Sequence, residues 1–264
     1  MIETQGLRND FGGFAALQGL DLRVEPGQVY GFLGPNGAGK TTTIRMLTGL
    51  LRPSAGSIRL CGFDLATEAL KAKAVTGYVP DRPELFPSLS ARETLRLVAG
   101  LHGLDPQAAA RRGDGLLDAF GLLPFADEAS QGYSHGMRQK LALSCALLPN
   151  PQLLILDEPM VGLDPQGGRQ VKDLLKRLAG RGLTVFLSIH TLEIAEQLCD
   201  SLGVLQHGRL LAEGSPQDLR QRAGAEGRDL EESFLRMTGG ELLLDDARIF
   251  GNGGTEDRPG GDGA

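Results

Sequence analysis

One stretch of eight residues constrains the fold more than any other part of the chain. Residues 34–41 read GPNGAGKT and fit the pattern G-x-x-x-x-G-K-[ST]. The apolar run QVYGFLG precedes the stretch, and a helical pattern follows it from about Lys40 to Leu50. Glycines let such a loop curl so that its N–H groups and the helix N-terminus bind phosphate groups. The stretch therefore predicts a strand–loop–helix unit that binds a nucleotide.

The residues of this loop have distinct expected roles. Lys40 should reach the β- and γ-phosphates, the hydroxyl of Thr41 should bind Mg²⁺, and Thr42 should add a phosphate contact. The backbone of the other positions forms the phosphate cradle, namely Gly34, Pro35, Asn36, Gly37, Ala38 and Gly39. A glycine-rich turn without function is the alternative, but it does not explain why a buried strand precedes the loop and a helix follows it.

Acidic residues follow a second apolar run. Residues 153–159 read LLILDEP, which predicts a buried strand with Asp157 and Glu158 at its carboxyl end, where α/β sheets place ligands. Asp157 is expected to hold Mg²⁺, directly or through water, and Glu158 to orient and polarise an attacking water. His190 follows the later run TVFLSI and should lie at the same edge of the sheet.

The order of the predicted elements indicates an α/β fold. Strands alternate with helices at both ends of the chain, which is typical of a mostly parallel sheet covered on both faces. Residues 87–149 read instead as an inserted helical subdomain, with a capping box at Ser90–Glu93 and a second helix start at Asp105-Pro106. We expect one domain over residues 1–240 and a flexible, glycine-rich tail over 241–264.

Charge and composition exclude other classes. The chain has 264 residues and a net charge of −6, which argues against nucleic acid as a partner because such domains are usually basic. Its three cysteines are far apart and show no metal-ligand spacing, as is typical of a reducing cytosol. No run of 18 apolar residues occurs, and the N-terminus lacks the shape of a signal peptide. We expect the chain to serve a membrane only through a partner.

A second nucleotide-type signal lies about ninety residues after the first. Residues 133–140 read YSHGMRQK, in which a helix should begin just after Ser134 and present unpaired N–H groups. Gly136 would let a phosphate approach closely, so the segment reads as a γ-phosphate receptor. Taken alone, it would be an ordinary serine N-cap.

Five motifs taken together resemble the ATP-binding cassette (ABC) ATPase family. They are GPNGAGKTT, YSHGM, LLILDEP, GLDP at 162–165 and SIH at 188–190. They occur in the order and spacing of that family, and the resemblance covers about residues 2–238. It implies a P-loop NTPase core with an N-terminal antiparallel β subdomain and an inserted α-helical subdomain. The implied cofactors are ATP and Mg²⁺.

The resemblance also implies how the second motif works. In that family two subunits pair head to tail, and the signature motif of one closes on the nucleotide held by the other. Ser134, Gly136 and Met137 would thus bind the partner's ATP, and Asp164 would lie at the dimer seam. Phe11 resembles the aromatic residue that stacks on adenine, although a core position is the alternative. The resemblance also implies that His190 contacts the γ-phosphate.

One position departs from the family pattern. The family usually carries Gln after the strand that precedes the helical subdomain, whereas this chain carries Asp81. A carboxylate only accepts hydrogen bonds, while an amide also donates, but Asp81 can still contact Mg²⁺ or the attacking water. The acidic residue and the YSHGM signature resemble the branch that powers drug, antibiotic and lipid exporters made of separate subunits.

The resemblance predicts an ATP-hydrolysing subunit of a membrane transporter, expected to be an exporter. Its partners would be a second ABC ATPase subunit, expected to be identical, and a multi-span permease at the cytoplasmic face of the membrane. The permease should dock on residues 80–90, where Leu85 and Phe86 are expected to be exposed. The alternative is that both side chains pack inside the helical subdomain. The first alternative is an ABC ATPase without a transport role. A different P-loop enzyme, such as a small-molecule kinase, would not need the signature motif, and a scaffold without hydrolysis would not need Glu158.

Overall fold

The structure, a computed structural model, describes residues 1–222. The predicted domain boundary at residue 240 and the tail over 241–264 therefore lie outside the described residues. Within this range ten strands occur: β1 Ile2–Phe11, β2 Phe14–Val24, β3 Val29–Leu33, β4 Ala55–Leu60, β5 Phe63–Asp64, β6 Thr76–Val79, β7 Leu153–Leu156, β8 Thr184–Ile189, β9 Ser201–Gln206 and β10 Arg209–Gly214.

Eight α-helices accompany these strands within residues 1–222: α1 Lys40–Leu47, α2 Ala69–Ala74, α3 Ala91–Leu101, α4 Pro106–Ala119, α5 His135–Leu147, α6 Pro165–Ala179, α7 Leu192–Leu198 and α8 Pro216–Arg222. None of the helices in this range is long and apolar enough to cross a bilayer.

The strands form two sheets. The N-terminal sheet is antiparallel and has the order β2-β1-β4-β5. The second sheet has the order β10-β9-β3-β8-β7-β6, and all of its neighbours are parallel except β9 and β10. The predicted α/β fold, with a mostly parallel sheet and an N-terminal antiparallel sheet, is confirmed.

The six-stranded sheet separates two apolar clusters. Leu154 and Leu156 of β7 belong to the cluster that includes side chains of α3 to α6. Leu153 and Ile155, which point to the opposite face, pack with the N-terminal sheet and α1. Because both faces are covered, every residue of β3, β7 and β8 is buried, which explains why these strands read as continuous apolar runs.

Three helices lie between β6 and β7, within residues 87–149. The capping box is present: the Ser90 Oγ accepts from the Glu93 N–H at 3.2 Å, and the Glu93 carboxylate accepts from the Ser90 N–H at 2.9 Å. The Asp105 carboxylate caps α4, with Pro106 in its first turn. The inserted helices and these two helix starts are as predicted.

Two local expectations differ from the structure. The first helix ends at Leu47 rather than near Leu50, because Gly49 adopts a left-handed φ of 67° and terminates it. Leu85 was expected to be exposed but packs against the main apolar cluster, since it lies where residues 80–90 cross the helical subdomain. Phe86 is 61% exposed, as expected.

Candidate functional site

The phosphate-type loop joins β3 to α1 in the conformation that its glycines allow. Gly39 is left-handed, with a φ of 109°, and a Cβ at this position would lie 2.8 Å from the carbonyl oxygen of Ala16. The Gly39 carbonyl then accepts from the Thr43 N–H at 2.9 Å, which starts α1. The strand–loop–helix arrangement is therefore as predicted.

Lys40 occupies the centre of the loop. Its ammonium donates to the carbonyl oxygens of Gly34 at 2.6 Å and Pro35 at 3.2 Å. Burial lowers the pKa of this ammonium, and the negative charges of Glu158 and Asp157 oppose the shift. A buried cation with only neutral carbonyl partners on the loop is well placed to bind an incoming anion.

A cavity of about 260 Å³ opens beside the loop. It is lined by Phe11, Phe14, Ala16, Pro35, Asn36, Gly37, Gly39, Lys40, Thr41, Thr42 and Glu158. Gly34 and Ala38, which were also predicted to form the cradle, do not line it. The Gly34 carbonyl instead holds the Lys40 ammonium, and the Ala38 N–H donates to Pro35 at 3.2 Å.

Two aromatic side chains lie at the mouth of this cavity. Phe11 ends β1, Phe14 begins β2, and the two residues pair across the hairpin turn. They are 51% and 66% exposed, so the alternative of a core position for Phe11 is wrong. Sequence reasoning missed Phe14. The available signal was the pair Gly12-Gly13, which predicts a tight turn that brings both rings to one end of a hairpin.

The predicted carboxylates follow β7. Asp157 is buried, and its Oδ1 accepts from the Ser188 hydroxyl at 2.6 Å. The same Ser188 oxygen accepts from the Glu158 N–H at 2.9 Å. Ser188 thus connects β8 to both acidic residues. Ser188 falls within the SIH motif, but no local signal indicates this role, because it lies 31 residues from Asp157.

Glu158 lies in a strained backbone conformation and contacts a histidine. Its φ is 48°, a left-handed value that is uncommon for a non-glycine residue. Its Oε2 lies 3.5 Å from Nδ1 of His190, whose side chain is 51% exposed. His190 therefore reaches the same sheet edge as the acidic residues, as expected, although it does not line the cavity.

Asp81 lies next to this group of residues rather than within it. It follows β6, the neighbour of β7, by two residues, and the Asp157 N–H donates to Val79 at the end of β6 at 2.9 Å. Asp81 is half-buried and is not among the residues that line the cavity. Its predicted contact with a metal ion or water remains a prediction.

The second motif lies away from the cavity of its own chain. Ser134 is exposed, and its Oγ accepts from the Met137 N–H at 3.2 Å as the N-cap of α5. Asp164 similarly caps α6, accepting from the Gly167 N–H at 3.1 Å. Neither residue lines the cavity, and neither do Gly136 and Met137. The structure instead brings the start of α5 against the segment that precedes α6: a Cβ at residue 136 would lie 3.4 Å from the Leu163 side chain.

Comparison with known proteins agrees with this geometry. The family model described as ABC transporter matches residues 17–161, more than half of the chain. The chain belongs to the ABC transporter family. A daunorubicin resistance ATP-binding protein of Streptomyces coeruleorubidus is 42% identical to this ABC protein over 229 residues, which cover 87% of this chain and 72% of that protein.

A second relative and a solved structure extend the similarity. The Nod factor export ATP-binding protein I of Cupriavidus metallidurans is 42% identical over 219 residues, covering 83% of this chain and 72% of that protein. A structure described as the ATP-binding subunit of an ABC transporter matches with a TM-score of 0.85 and 33% identity, covering 90% of this chain and 99% of the other. The chain is therefore an ABC ATPase that binds ATP as a transporter subunit, as its five motifs predicted.

Proposed function

We propose that this ATPase drives an exporter made of separate subunits and acts at the cytoplasmic face of a membrane. One observation carries the proposal: a phosphate-type loop, its buried cation and a carboxylate face the same cavity. Export is supported by the names of the relatives, a daunorubicin resistance protein and a Nod factor export protein. These names do not favour the alternative of an ABC ATPase without a transport role.

ATP would bind along the cavity, with its base at the aromatic end. The loop over residues 34–39 would receive the phosphates, and Lys40 would exchange its two carbonyl partners for β- and γ-phosphate oxygens. Thr42, which lines the cavity, would add a phosphate contact. Phe11 would stack on the adenine through its exposed ring, a contact that suits any purine face.

The residues present fit a magnesium ion. Mg²⁺ prefers oxygen ligands and commonly takes one or two from the protein and the rest from phosphates and water. The Thr41 hydroxyl lines the cavity, and Asp157 is held at the end of β7 by Ser188. When bound, the ion would neutralise charge between the β- and γ-phosphates.

Hydrolysis would depend on Glu158. Its carboxylate would orient a water molecule toward the γ-phosphorus and accept a proton as the oxygen–phosphorus bond forms. The bond between the γ-phosphorus and the oxygen that bridges to the β-phosphate breaks in the same reaction and leaves ADP. His190, 3.5 Å from Glu158, would bind the γ-phosphate. Asp81 would report the state of this site to the helical subdomain.

Two subunits would be needed for a complete site. Ser134, Gly136, Met137 and Asp164 do not line the cavity of their own chain. Ser134 is exposed at the start of α5, and the N-terminus of a helix is suited to bind phosphate. A head-to-tail dimer would bring these groups onto the nucleotide of the partner subunit. The mechanical work of closing the dimer would pass to a multi-span permease that contacts residues 80–90, where Phe86 is exposed.

The substitution Glu158→Gln tests the proposal. The variant should bind ATP normally but hydrolyse it about 100-fold more slowly or worse, because an amide cannot accept the proton. It should also accumulate as an ATP-bound dimer in size-exclusion chromatography. Glu3→Gln, at an exposed position of β1, is the matched control and should retain full activity. Hydrolysis by Glu158→Gln at the control rate would show that another group activates the water.

A further inference from the structure

The first side chain of α5 packs on the segment that follows the catalytic carboxylate. A Cβ at Gly162 would lie 2.6 Å from Nε2 of His135 and closer still to the ring carbon Cδ2, far inside van der Waals contact. The His135 ring therefore rests directly on the Gly162 backbone. The ring faces this segment rather than the cavity, whose lining does not include it.

Gly162 is connected to Glu158 by a compact turn. The Val161 N–H donates to the Glu158 carbonyl at 3.1 Å, and the Leu163 N–H donates to Met160 at 3.3 Å. Gly162 itself is left-handed, with a φ of 75°. Because consecutive hydrogen bonds join residues 158 to 163, a contact on Gly162 restricts the backbone that carries Glu158.

A second side chain of α5 contacts the same turn. Gln139 lies one helical turn after His135 and is completely buried, and its amide Nε2 lies 3.5 Å from the Pro159 carbonyl oxygen. Residues four apart share one face of a helix, so this face of α5 contacts the turn at both ends. The turn needs such support, because a left-handed conformation at a non-glycine residue such as Glu158 persists only when its surroundings hold it.

We propose that His135 is a positioning residue that holds Glu158 of its own subunit in the orientation required for hydrolysis. It acts through the Gly162 backbone, with Gln139 as the second contact. The inference rests on the proposed role of Glu158. His135 belongs to the YSHGM signature segment, so the proposal gives this segment a function within its own subunit. Ser134 of the same segment is proposed to bind the partner's nucleotide.

Single substitutions at His135 separate packing from chemistry. His135→Ala should lower kcat for ATP hydrolysis about tenfold and leave KM within about twofold, because the ATP cavity is untouched. His135→Phe retains a flat ring without nitrogen atoms, so it should restore most of the lost kcat. His102→Ala, at an exposed histidine after α3, is the matched control and should match wild type. If His135→Phe is as slow as His135→Ala, the imidazole acts through its nitrogens and the proposal is wrong.

A double-mutant cycle tests the contact itself. Gly162→Ala should be slow because its Cβ meets the His135 ring, in addition to the strain of its left-handed backbone. Removing the ring in the double variant relieves the clash, so the combined loss of kcat should be smaller than the product of the two single losses. Losses that multiply would mean that the two residues act independently, which would overturn the proposal.

Mixed dimers test whether His135 acts in its own subunit. In a dimer of His135→Ala with Lys40→Ala, the working cavity belongs to the His135→Ala subunit and faces an intact signature segment. Its activity should stay about tenfold below that of a wild-type and Lys40→Ala dimer. Full activity would place the effect on the partner's nucleotide and refute the proposal. If the wild-type and Lys40→Ala dimer is itself inactive because its two sites are coupled, the double-mutant cycle of His135 and Gly162 becomes the test of the proposal. A normal rate for Glu158→Gln would instead contradict the proposed function.

Discussion

At the scale of single residues, the turn that joins β1 to β2 leaves Phe11 and Phe14 exposed beside the phosphate loop. Both rings are more than half exposed, although exposed phenylalanine is uncommon. They lie at the end of a hairpin whose Gly12-Gly13 turn leaves them no core to enter. At the cavity mouth they would offer a flat apolar surface to the adenine of the proposed ATP, and Phe14 adds a second ring beside Phe11.

Substitution of these rings should weaken ATP binding without affecting phosphate binding. Phe11→Ala should lower ATP affinity about 5- to 150-fold, as expected for the loss of about 1–3 kcal/mol of base stacking, and Phe14→Ala should have a smaller effect. Calorimetry with ATP measures the affinity for base and phosphates together, and calorimetry with inorganic tripolyphosphate measures the affinity for the phosphates alone. Tripolyphosphate affinity should not change in either variant.

A matched control is available on the helical subdomain. Phe125 is 41% exposed and does not line the cavity, so Phe125→Ala removes an exposed ring outside the proposed site and should leave ATP affinity unchanged. Equal losses of ATP and tripolyphosphate affinity in Phe11→Ala would instead indicate a distorted loop and would remove the assignment of Phe11 to adenine.

At the scale of elements, α5 begins with exposed groups and continues into the core. Ser134 caps it at the surface, whereas Leu141 and Leu143 are completely buried between the helical subdomain and the sheet. A helix anchored in this way presents its N-terminus rigidly, which suits the proposed role of that terminus as a phosphate receptor. It also packs against the turn over residues 158–163, so movements of the two segments are connected.

The variant Ser134→Arg should block hydrolysis while leaving the cavity of its own subunit intact. Alone, it should bind ATP but hydrolyse it at least about 100-fold more slowly, because a bulky cation replaces the hydroxyl at the receptor. Mixed with Lys40→Ala, it should regain activity, since one of the two sites then has an intact cavity and an intact signature segment. The ATPase rate of the mixture, after conditions that allow subunit exchange, measures this.

If the mixture of Ser134→Arg and Lys40→Ala does not regain ATPase activity, there are two explanations, and a titration distinguishes them. If wild type titrated with Ser134→Arg loses activity in proportion to the fraction of altered subunits, each site works alone and the head-to-tail arrangement is wrong. If activity falls with the square of the wild-type fraction, the two sites are obligately coupled.

At the scale of the whole molecule, the segment over residues 80–90 is the surface on which the proposed permease would dock. No helix in the described part of the chain is long and apolar enough to cross a bilayer. Residues 80–90 connect β6, at the edge of the six-stranded sheet, to the first helix of the helical subdomain. This segment is one of two that join that subdomain to the sheet, and the other joins α5 to β7. Phe86 is its exposed apolar side chain, whereas Leu85 anchors it to the core.

Cysteines introduced at Glu84 and Ser88, both exposed, should crosslink to a multi-span membrane protein in native membranes. The yield should change when ATP is added, because closure of the proposed dimer would move the segment. A cysteine at Gln107, exposed at the start of α4, is the control and should give little product. Crosslinks to water-soluble proteins alone would contradict docking to a permease and favour an ABC ATPase without a transport role.

The sequence by itself determined those features that depend on neighbouring residues. The phosphate loop, the apolar runs of β3, β7 and β8, and the caps at Ser90, Asp105, Ser134 and Asp164 each follow from patterns a few residues long. These patterns act through local backbone geometry and burial, so they keep their meaning before the chain is folded. The assignment to the α/β class required no further information.

Only the tertiary structure decided which distant side chains meet. Ser188 holds Asp157 across two strands, Leu85 turns inward while Phe86 turns outward, and His135 packs on Gly162. Each of these contacts joins surfaces of separate elements, or depends on how a segment lies across another. The packing of helices and sheets determines which residues meet in these contacts, and local sequence patterns do not specify that packing. Such contacts contribute free energy only once both surfaces are in place.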